Sequence, residues 1–246
     1  MAELLGTSKE SFIASVRQSL GRTGGEPDER YAPLQEDLSS LEERASNTLE
    51  RLKKDRGRLV EELARVAELQ GWKVCQAANS KAALDYIREL VQESSAKLVV
   101  RSDQEIFRQM PVDELLEGMG AQVQVMARGQ SGDGEFDPAS AELGLTGVDY
   151  AIAETGTAVL LPRKGISRLV SLLPPVHLAL VRSSEVLESL DDLYLLQRLE
   201  YHRNGGDMGS YMNFITGPSR TADIEQTLVI GAHGPRETHM VILVQE

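Results

Sequence analysis

The sequence has a single cysteine, Cys75, among its 246 residues. One thiol excludes an internal disulfide framework, an iron–sulfur cluster held by four thiolates of this chain and a multi-cysteine zinc site. Basic residues are also few, since 26 Lys and Arg face 38 Asp and Glu for a net charge of −12. A surface this acidic argues against broad electrostatic adhesion to nucleic acid or anionic membranes.

Long apolar runs are missing as well. No window approaches the roughly 18 apolar residues of a membrane span, and the N-terminus lacks the basic start and apolar run of a signal peptide. We therefore expect a soluble, cytoplasmic protein. The 41% of hydrophobic residues is ordinary for a globular chain and provides for one sizeable core.

The first 70 residues predict a helical extension. Thr7 and Glu10 have the capping-box spacing, with Thr7 as N-cap, and a helix follows as far as Gly21. Residues 21–35 carry Gly, Pro and charges without periodicity and are interpreted as a linker. Residues 36–70 place apolar residues at steps of three and four, which predicts a long helix lying against its own domain, with a coiled coil as the alternative.

After residue 71 strands alternate with helices. The predicted strands are 72–77, 97–101, 121–127, 148–153, 157–161, 176–181, 211–216 and 239–244. The predicted helices are 80–91, 103–117 and 184–203, with short ones near 139–143 and 222–228. This alternation predicts one α/β domain, residues 71–246, with a mainly parallel sheet and helices on both faces.

The first candidate site is Ala153-Glu154-Thr155-Gly156-Thr157, between two apolar strands. A carboxylate beside a glycine turn with two hydroxyls can act as base, nucleophile or hydrogen-bond acceptor. Gly156 would let the backbone approach a ligand closely. The alternative is a tight β-turn with a solvated Glu154.

The second candidate site is Thr216-Gly217-Pro218-Ser219-Arg220-Thr221-Ala222-Asp223-Ile224-Glu225, which follows a predicted strand and leads into the predicted short helix. Ser219 or Thr221 would cap that helix, whose free N–H groups would bind an anion with Arg220 adding charge. The alternative is a capped helix whose acidic first turn complements the dipole.

The third candidate site is the loop Gly231–Pro235, in which His233 lies between small residues. An exposed imidazole there could act as acid, base or ligand. His177, inside an apolar strand, is interpreted as a core histidine, and His202 as a solvated residue at a helix end. Because His233 and His239 are six residues apart, they fit no helical metal pair, and no metal site is predicted.

Together these motifs resemble the LUD-domain family. Four segments carry the resemblance, and they occur in the family's order: Ala153–Thr157, Ser171-Leu172-Leu173-Pro174, Gly217-Pro218-Ser219 with Thr221-Ala222-Asp223-Ile224-Glu225, and Gly231–Pro235. Arg220, between the two parts of the third segment, lies outside the family pattern. The resemblance implies a three-layer, Rossmann-like α/β fold shared with glucosamine-6-phosphate deaminase, ribose-5-phosphate isomerase and CoA-transferases. It also implies a role in oxidising L-lactate to pyruvate with two partner proteins, at least one carrying iron–sulfur clusters, so that no cofactor is expected on this chain.

Three hypotheses follow. In the first, a lactate-oxidising system uses this chain to bind a small anion, with Glu154 and His233 as proton-moving groups and the ligand held by Thr155, Gly156, Thr157, Gly217, Ser219, Arg220, Thr221 and Gly234. In the second, the chain is a stand-alone enzyme of acyl-transfer or phosphosugar type that uses Glu154, by analogy of fold. In the third, it is a non-catalytic assembly subunit that docks through the 36–70 helix.

Overall fold

The structure, a computed structural model, describes residues 8–21, 36–126, 138–161, 166–206, 211–222 and 228–245. The chain divides into two compact units, Met1–Ser40 and Leu41–Glu246. Apart from Gly21, the predicted linker lies outside the described residues, and the domain limit at residue 70 stays a prediction.

In the first unit, helix α1 spans Lys9–Ser19. Its N-cap is Ser8, one residue after the predicted Thr7, which lies outside the described residues. The Ser8 hydroxyl accepts a hydrogen bond from the Ser11 amide at 3.2 Å, which satisfies one of the free donors of the first turn.

Helix α2 spans Leu38–Gln70 and ends at Gly71, whose φ of 97° suits glycine. Its apolar stripe is buried at Leu41, Ala45, Leu52, Leu59, Val60, Leu63, Ala64, Val66 and Ala67. Those side chains, Val66 apart, share one core with residues of the sheets and of the last long helix. The helix therefore lies against its own domain, as predicted.

The described residues contain twelve strands: β1 (Lys73–Ala77), β2 (Leu98–Ser102), β3 (Gln122–Met126), β4 (Leu143–Gly147), β5 (Tyr150–Ile152), β6 (Thr157–Leu160), β7 (Val176–Arg182), β8 (Val186–Leu187), β9 (Asn213–Ile215), β10 (Arg220–Ala222), β11 (Leu228–Ile230) and β12 (Glu237–Leu243). The remaining helices are α3 (Ser80–Ser94), α4 (Ile106–Gln109), α5 (Val112–Gly118), α6 (Leu169–Leu172) and α7 (Leu190–Arg203).

The central sheet has six strands in the order β1-β12-β7-β4-β2-β3, and every neighbouring pair is parallel. A smaller sheet, β8-β5-β6-β9, is mixed, and β10 pairs with β11 in an antiparallel hairpin. The predicted α/β fold with a mainly parallel sheet is confirmed.

Alternate side chains of the central strands face two different cores. In β7, Leu178 and Leu180 pack with α3, α4 and α5, whereas Ala179 and Val181 pack with α2, α7 and the smaller sheet. Helices therefore cover both faces of the central sheet, as the alternation of strands and helices predicted.

Two long helices were predicted wrongly. The helix predicted over 103–117 is split into α4 and α5 because Met110 precedes Pro111 and is extended, with φ −122° and ψ 133°. The helix predicted over 184–203 begins only at Leu190, where Ser189 is the cap. Its first residues form a 3₁₀ turn, Ser183–Glu185, followed by β8.

Strand β4 was not predicted, while the short helical turn predicted near 139–143 is present in part as a 3₁₀ turn, Pro138–Ser140. Its sequence, Leu-Gly-Leu-Thr-Gly, has two glycines, which are poor strand formers. A Cβ on Gly144 would lie 2.0 Å from the Val170 carbonyl oxygen, so helix α6 packs on the bare backbone. Glycine is present because of this contact, not because the chain turns.

Candidate functional site

Glu154 lies in the turn between β5 and β6 and is exposed. One carboxylate oxygen, Oε1, accepts a hydrogen bond from the Leu190 amide at 2.8 Å, and Leu190 is the first residue of α7. A carboxylate at this position satisfies a free N–H and complements the positive end of the helix. Glu154 therefore has a structural partner in addition to the chemistry predicted for it.

Gly156, in the same turn, packs directly on α2. Its φ is 64°, and a Cβ there would lie 2.6 Å from the Ala67 nitrogen and 2.7 Å from the Ala67 Cα. The sequence suggests that this glycine lets a ligand approach the backbone. In the structure the backbone of α2 occupies that space.

Three threonine hydroxyls join the first and second candidate sites. The Thr155 hydroxyl donates to Thr157 Oγ1 at 2.8 Å, and Thr157 Oγ1 and Thr216 Oγ1 are 2.8 Å apart. Thr157 is buried, while Thr155 is partly exposed. The chain of hydroxyls connects the interior to the surface and has donors and acceptors that suit a small anion.

The loop from Gly217 to Arg220 closes over the C-terminus of α2. Gly217 has φ 92°, and a Cβ on it would lie 2.3 Å from the Gln70 carbonyl oxygen. The Arg220 guanidinium donates from Nη2 to the same oxygen at 2.8 Å. Arg220 thus places a cation at the negative end of a helix.

The predicted helix cap at Ser219 or Thr221 is wrong, because Arg220–Ala222 is strand β10 and pairs with β11. An anion site made of helix N–H groups does not form at these two residues. The acidic residues predicted in the first turn, Asp223 and Glu225, lie outside the described residues.

Ser219 connects the second and third candidate sites. Its hydroxyl accepts a hydrogen bond from the His233 amide at 3.3 Å, and its amide donates to the Pro235 carbonyl at 2.9 Å. A Cβ on Gly234 would lie 3.2 Å from Ser219 Cβ, so the two loops are in close contact. The His233 residue is exposed.

The structure therefore brings the three motifs into one region, which we call the motif cluster: residues 153–157, 216–221 and 231–235. Thr157 joins the first loop to the second, and Ser219 joins the second to the third. The two predicted proton-moving groups have different surroundings. Glu154 is hydrogen-bonded to α7, whereas His233 is held through its backbone and its ring lies at the surface.

His177 is a core histidine, as predicted, and is fully buried. Its Nε2 lies 2.9 Å from Thr146 Oγ1, and burial lowers its pKa to about 3. Among the described residues, His177 Nδ1, Trp72 Nε1 and Thr238 Oγ1 are buried without a hydrogen-bond partner. The Trp72 and His177 rings are 6.1 Å apart, and Thr238 pairs with His177 across two strands.

A chain of polar side chains at the amino ends of β1 and β12 was not predicted. Lys73 Nζ lies 2.5 Å from Glu237 Oε1, which is 2.7 Å from His239 Nε2, and His239 Nδ1 is 2.7 Å from the Tyr86 hydroxyl. Burial raises the pKa of Tyr86 to about 12 and lowers that of His239. The feature of the sequence that indicates this chain of side chains is the i, i+2 spacing of Glu237 and His239, which places both on one face of a strand.

A second unpredicted group lies at the carboxyl ends of the strands. Arg182, Glu185 and Gln109 are joined by hydrogen bonds of 2.9 and 2.7 Å through the Arg182 guanidinium. The sequence pattern does not single out Glu185, because it places this residue in the first turn of the helix predicted over 184–203. Its position in a 3₁₀ turn directly after β7 brings it back toward the sheet.

The part of the chain that the structure describes contains no cluster of three His, Cys, Asp or Glu side chains arranged to hold a metal ion. Within the same residues, no helix is long and apolar enough to cross a membrane.

Comparisons with known proteins agree on the family. The chain is 33% identical over 157 residues to lactate utilization protein C of Halalkalibacterium halodurans, a match that covers 63% of this chain and 67% of that protein. It is 32% identical over 165 residues to lactate utilization protein C of Anoxybacillus flavithermus, covering 67% of this chain and 71% of that protein.

A similar fold occurs in the crystal structure of a DUF162 family protein from Deinococcus radiodurans. The TM-score is 0.53 at 18% identity, and the match covers 77% of this chain and 98% of that one. The assignment to the fold of glucosamine-6-phosphate deaminase, ribose-5-phosphate isomerase and CoA-transferases stays a prediction. The family model for the LUD domain matches residues 60–243, and this chain belongs to the LUD domain family.

Proposed function

We propose that this chain is a component of a lactate-utilising system, in which L-lactate is oxidised to pyruvate with the help of partner proteins. The observation that carries the proposal is the similarity to two proteins named lactate utilization protein C, each matched over about two-thirds of its length. The four motifs of the sequence point in the same direction.

Oxidation of lactate to pyruvate removes two electrons and two protons from the substrate. With Cys75 as its one thiol, this chain cannot supply the four thiolates that iron–sulfur clusters commonly need. In our proposal the clusters, and the path that the electrons take, belong to a partner protein. This chain contributes ligand binding and proton transfer.

The motif cluster is the proposed site for a small anion. The hydroxyls of Thr155 and Thr157, which are hydrogen-bonded to threonine neighbours in the structure, would turn their protons toward the anion together with that of Ser219, and Arg220 adds a positive charge at the edge of the site. Gly156, Gly217 and Gly234 hold the three loops close to α2 and to one another. Thr221, in β10, completes the predicted set of ligand-binding residues.

His233 is the stronger candidate for moving a proton. Its imidazole is exposed on a loop, and its two ring nitrogens can donate or accept a proton. Glu154 is less suited to act as a nucleophile in acyl transfer, because one of its oxygens is engaged by the Leu190 amide. That hydrogen bond is the observation against the stand-alone acyl-transfer alternative.

The assembly-subunit alternative requires a docking face on α2. Most of the apolar stripe of α2 is already buried in the domain core, so the face open to a partner is mainly charged, with Leu38, Leu49 and Leu69 as its exposed apolar residues. Deleting residues 1–70 would remove core side chains such as Leu59 and Leu63 and would not test docking by itself.

The proposal is tested in the native host by deleting the gene and restoring single variants. We expect the deletion to abolish growth on L-lactate but not on glucose, and His233→Ala to fail to restore growth. His202→Ala, which changes an exposed histidine at the end of α7, serves as the matched control and should restore growth.

Co-purification supplies an independent arm of the test. We expect the tagged chain to carry an iron–sulfur protein with it, and the purified chain alone to form no pyruvate from L-lactate. Normal growth of the deletion strain on L-lactate, or turnover by the isolated chain, would refute the proposal.

A further inference from the structure

A cleft opens at the carboxyl ends of the central strands, away from the motif cluster. Its volume is about 420 Å³, and its polar lining residues are Ser80, Gln109, Arg182 and Gln245. Ile106 and Leu243 are among its apolar residues. In open parallel sheets, ligands bind beyond the carboxyl ends of the strands, and this volume lies within the range of small-molecule sites.

Arg182 is the charged residue that lines this cleft. Its side chain is 20% exposed, and its guanidinium donates from Nη1 to Glu185 Oε1 at 2.9 Å and from Nη2 to Gln109 Oε1 at 2.7 Å. A guanidinium has five N–H donors in a fixed plane. These two bonds hold the group in place and leave further donors for an anion.

Glu185 provides the counter-charge of Arg182. Its side chain is 16% exposed, and its Oε2 accepts a hydrogen bond from the Arg182 amide at 2.8 Å. Burial raises the pKa of Glu185 to about 7, the nearby Asp149 adds to the rise, and Arg182 opposes it. Near neutral pH, the positive charge of Arg182 is therefore only partly balanced.

We propose that this cleft binds a small organic carboxylate through Arg182, and that Glu185 takes up a proton when the ligand binds. A second carboxylate beside Arg182 repels an ionised Glu185, and protonation of Glu185 removes that repulsion. The proton comes from solvent and no covalent bond changes. Gln245 provides an amide for the remaining polar atoms of the ligand, while Gln109 holds the Arg182 guanidinium in place.

The charges around the pair come from three elements. Arg182 ends β7 and Glu185 ends the 3₁₀ turn after it, Asp149 lies in the turn after β4, and Glu105, directly before α4, accepts a hydrogen bond from Gln109 Nε2 at 3.1 Å. Of the two acidic neighbours, Asp149 raises the pKa of Glu185. It therefore favours the protonated form of Glu185.

The test is calorimetric titration of the purified full-length chain with pyruvate at pH 6 and pH 8, in two buffers of different ionisation enthalpy. For one linked group with a pKa near 7, binding should be up to about tenfold tighter at pH 6 and should take up a proton. The choice of pyruvate rests on the proposed function. Because the titration uses the isolated chain, a failure to bind pyruvate would contradict the proposed cleft, whereas normal growth of the deletion strain on L-lactate would contradict the proposed function.

Variants separate the two roles. Glu185→Gln should bind pyruvate equally at both pH values, at least as tightly as the wild-type protein at pH 6. Arg182→Gln should bind at least tenfold more weakly, and Arg182→Lys, which keeps the charge but loses the planar fork, at least fivefold more weakly. The control is Arg108→Gln on α4, an exposed arginine paired with Asp103, which should leave binding unchanged.

Three results would overturn the proposal. The first is an affinity of the wild-type protein for pyruvate that is the same at pH 6 and pH 8. The second is an affinity for pyruvate that Arg182→Lys leaves unchanged in a folded variant. The third is a cleft that binds inorganic phosphate but not pyruvate. The unfolding temperature of each variant shows that it is folded.

Discussion

Replacing Gly156 with alanine should be among the most damaging single-methyl changes in this protein. The new Cβ would lie 2.6 Å from the Ala67 nitrogen and 2.9 Å from the Val66 carbonyl carbon, both of them backbone atoms of α2. Neither the helix backbone nor the turn can yield without moving α2 and its buried leucines. In addition, φ is 64°, in the region that L side chains disfavour.

The expected change in the free energy of unfolding is the sum of two destabilising contributions and one smaller stabilising contribution. The left-handed conformation costs about 1–2 kcal/mol, overpacking against a fixed backbone costs about 1–3 kcal/mol, and the lower entropy of the unfolded chain returns about 0.4–1 kcal/mol. We expect the free energy of unfolding to fall by about 3 kcal/mol, which for a chain of this size lowers the Tm by roughly 6–12 °C.

Two other glycines serve as controls, because neither has an atom within 4 Å of the new Cβ. Gly120 has φ 82°, so Gly120→Ala carries the conformational cost alone and should lose about 1 kcal/mol. Gly57 lies exposed within α2, and Gly57→Ala should gain about 0.5–1 kcal/mol.

The assay is thermal unfolding at pH 7, checked by urea denaturation. The expected order of stability is Gly57→Ala, wild type, Gly120→Ala and Gly156→Ala. Equal losses for Gly120→Ala and Gly156→Ala would show that the turn does not pack on α2, and the reasoning would fail.

Two further predictions concern the buried polar groups around His177. Thr238→Val removes a buried hydroxyl that has no partner among the described residues, and it should raise the free energy of unfolding, measured in urea, by about 1 kcal/mol. Thr146→Val removes the hydrogen-bond partner of His177 Nε2 and should lower the free energy of unfolding by about 1–3 kcal/mol. A loss of stability in Thr238→Val would contradict this reasoning. Because burial holds the pKa of His177 near 3, only the unfolded chain takes up this proton as the pH falls below 6.5, so His177 should contribute a loss of stability of about 2 kcal/mol between pH 7 and pH 5. Over that range the wild-type protein should therefore lose about 2 kcal/mol relative to His177→Gln, and parallel stability curves of the two proteins would contradict this contribution.

Much of the fold was predictable because local pattern and tertiary contact agreed. The periodic leucines of α2 and the apolar residues of β7 and β12 indicate the same elements that the structure contains. The prediction failed where a contact from a distant segment decided the local structure. Gly144 makes β4 a poor strand by propensity, yet it is the residue that lets α6 pack on the sheet.

The start of α7 shows a second kind of failure. Ser183, Ser184 and Ser189 are all suitable caps by residue type, and pattern alone does not choose among them. The pairing of β8 with β5 removes residues 186–187 from the helix, and Ser189 then becomes the cap. Such a pairing depends on strands more than 30 residues apart in the chain.

At the candidate site, the sequence identified the loops but not what they touch. The sequence suggests the close approach of a ligand at Gly156, whereas the structure places the backbone of α2, far away in sequence, against both Gly156 and Gly217. The Arg182–Glu185 pair was hidden by the wrong helix boundary. Residue type alone could not indicate that a glutamate so close to an arginine has a raised pKa, because that rise comes from burial.

The order of strands has a consequence for synthesis on the ribosome. In the described sheet, β1 lies at the edge and neighbours β12, with Lys73 paired to His239, 166 residues later. At about 5–20 residues per second, translation needs roughly 8–33 s to deliver that partner. Until then β1 has no place in the sheet, and the β12 position between β1 and β7 stays unfilled. A nascent chain of this protein therefore spends most of its synthesis with the apolar surface of its early strands uncovered.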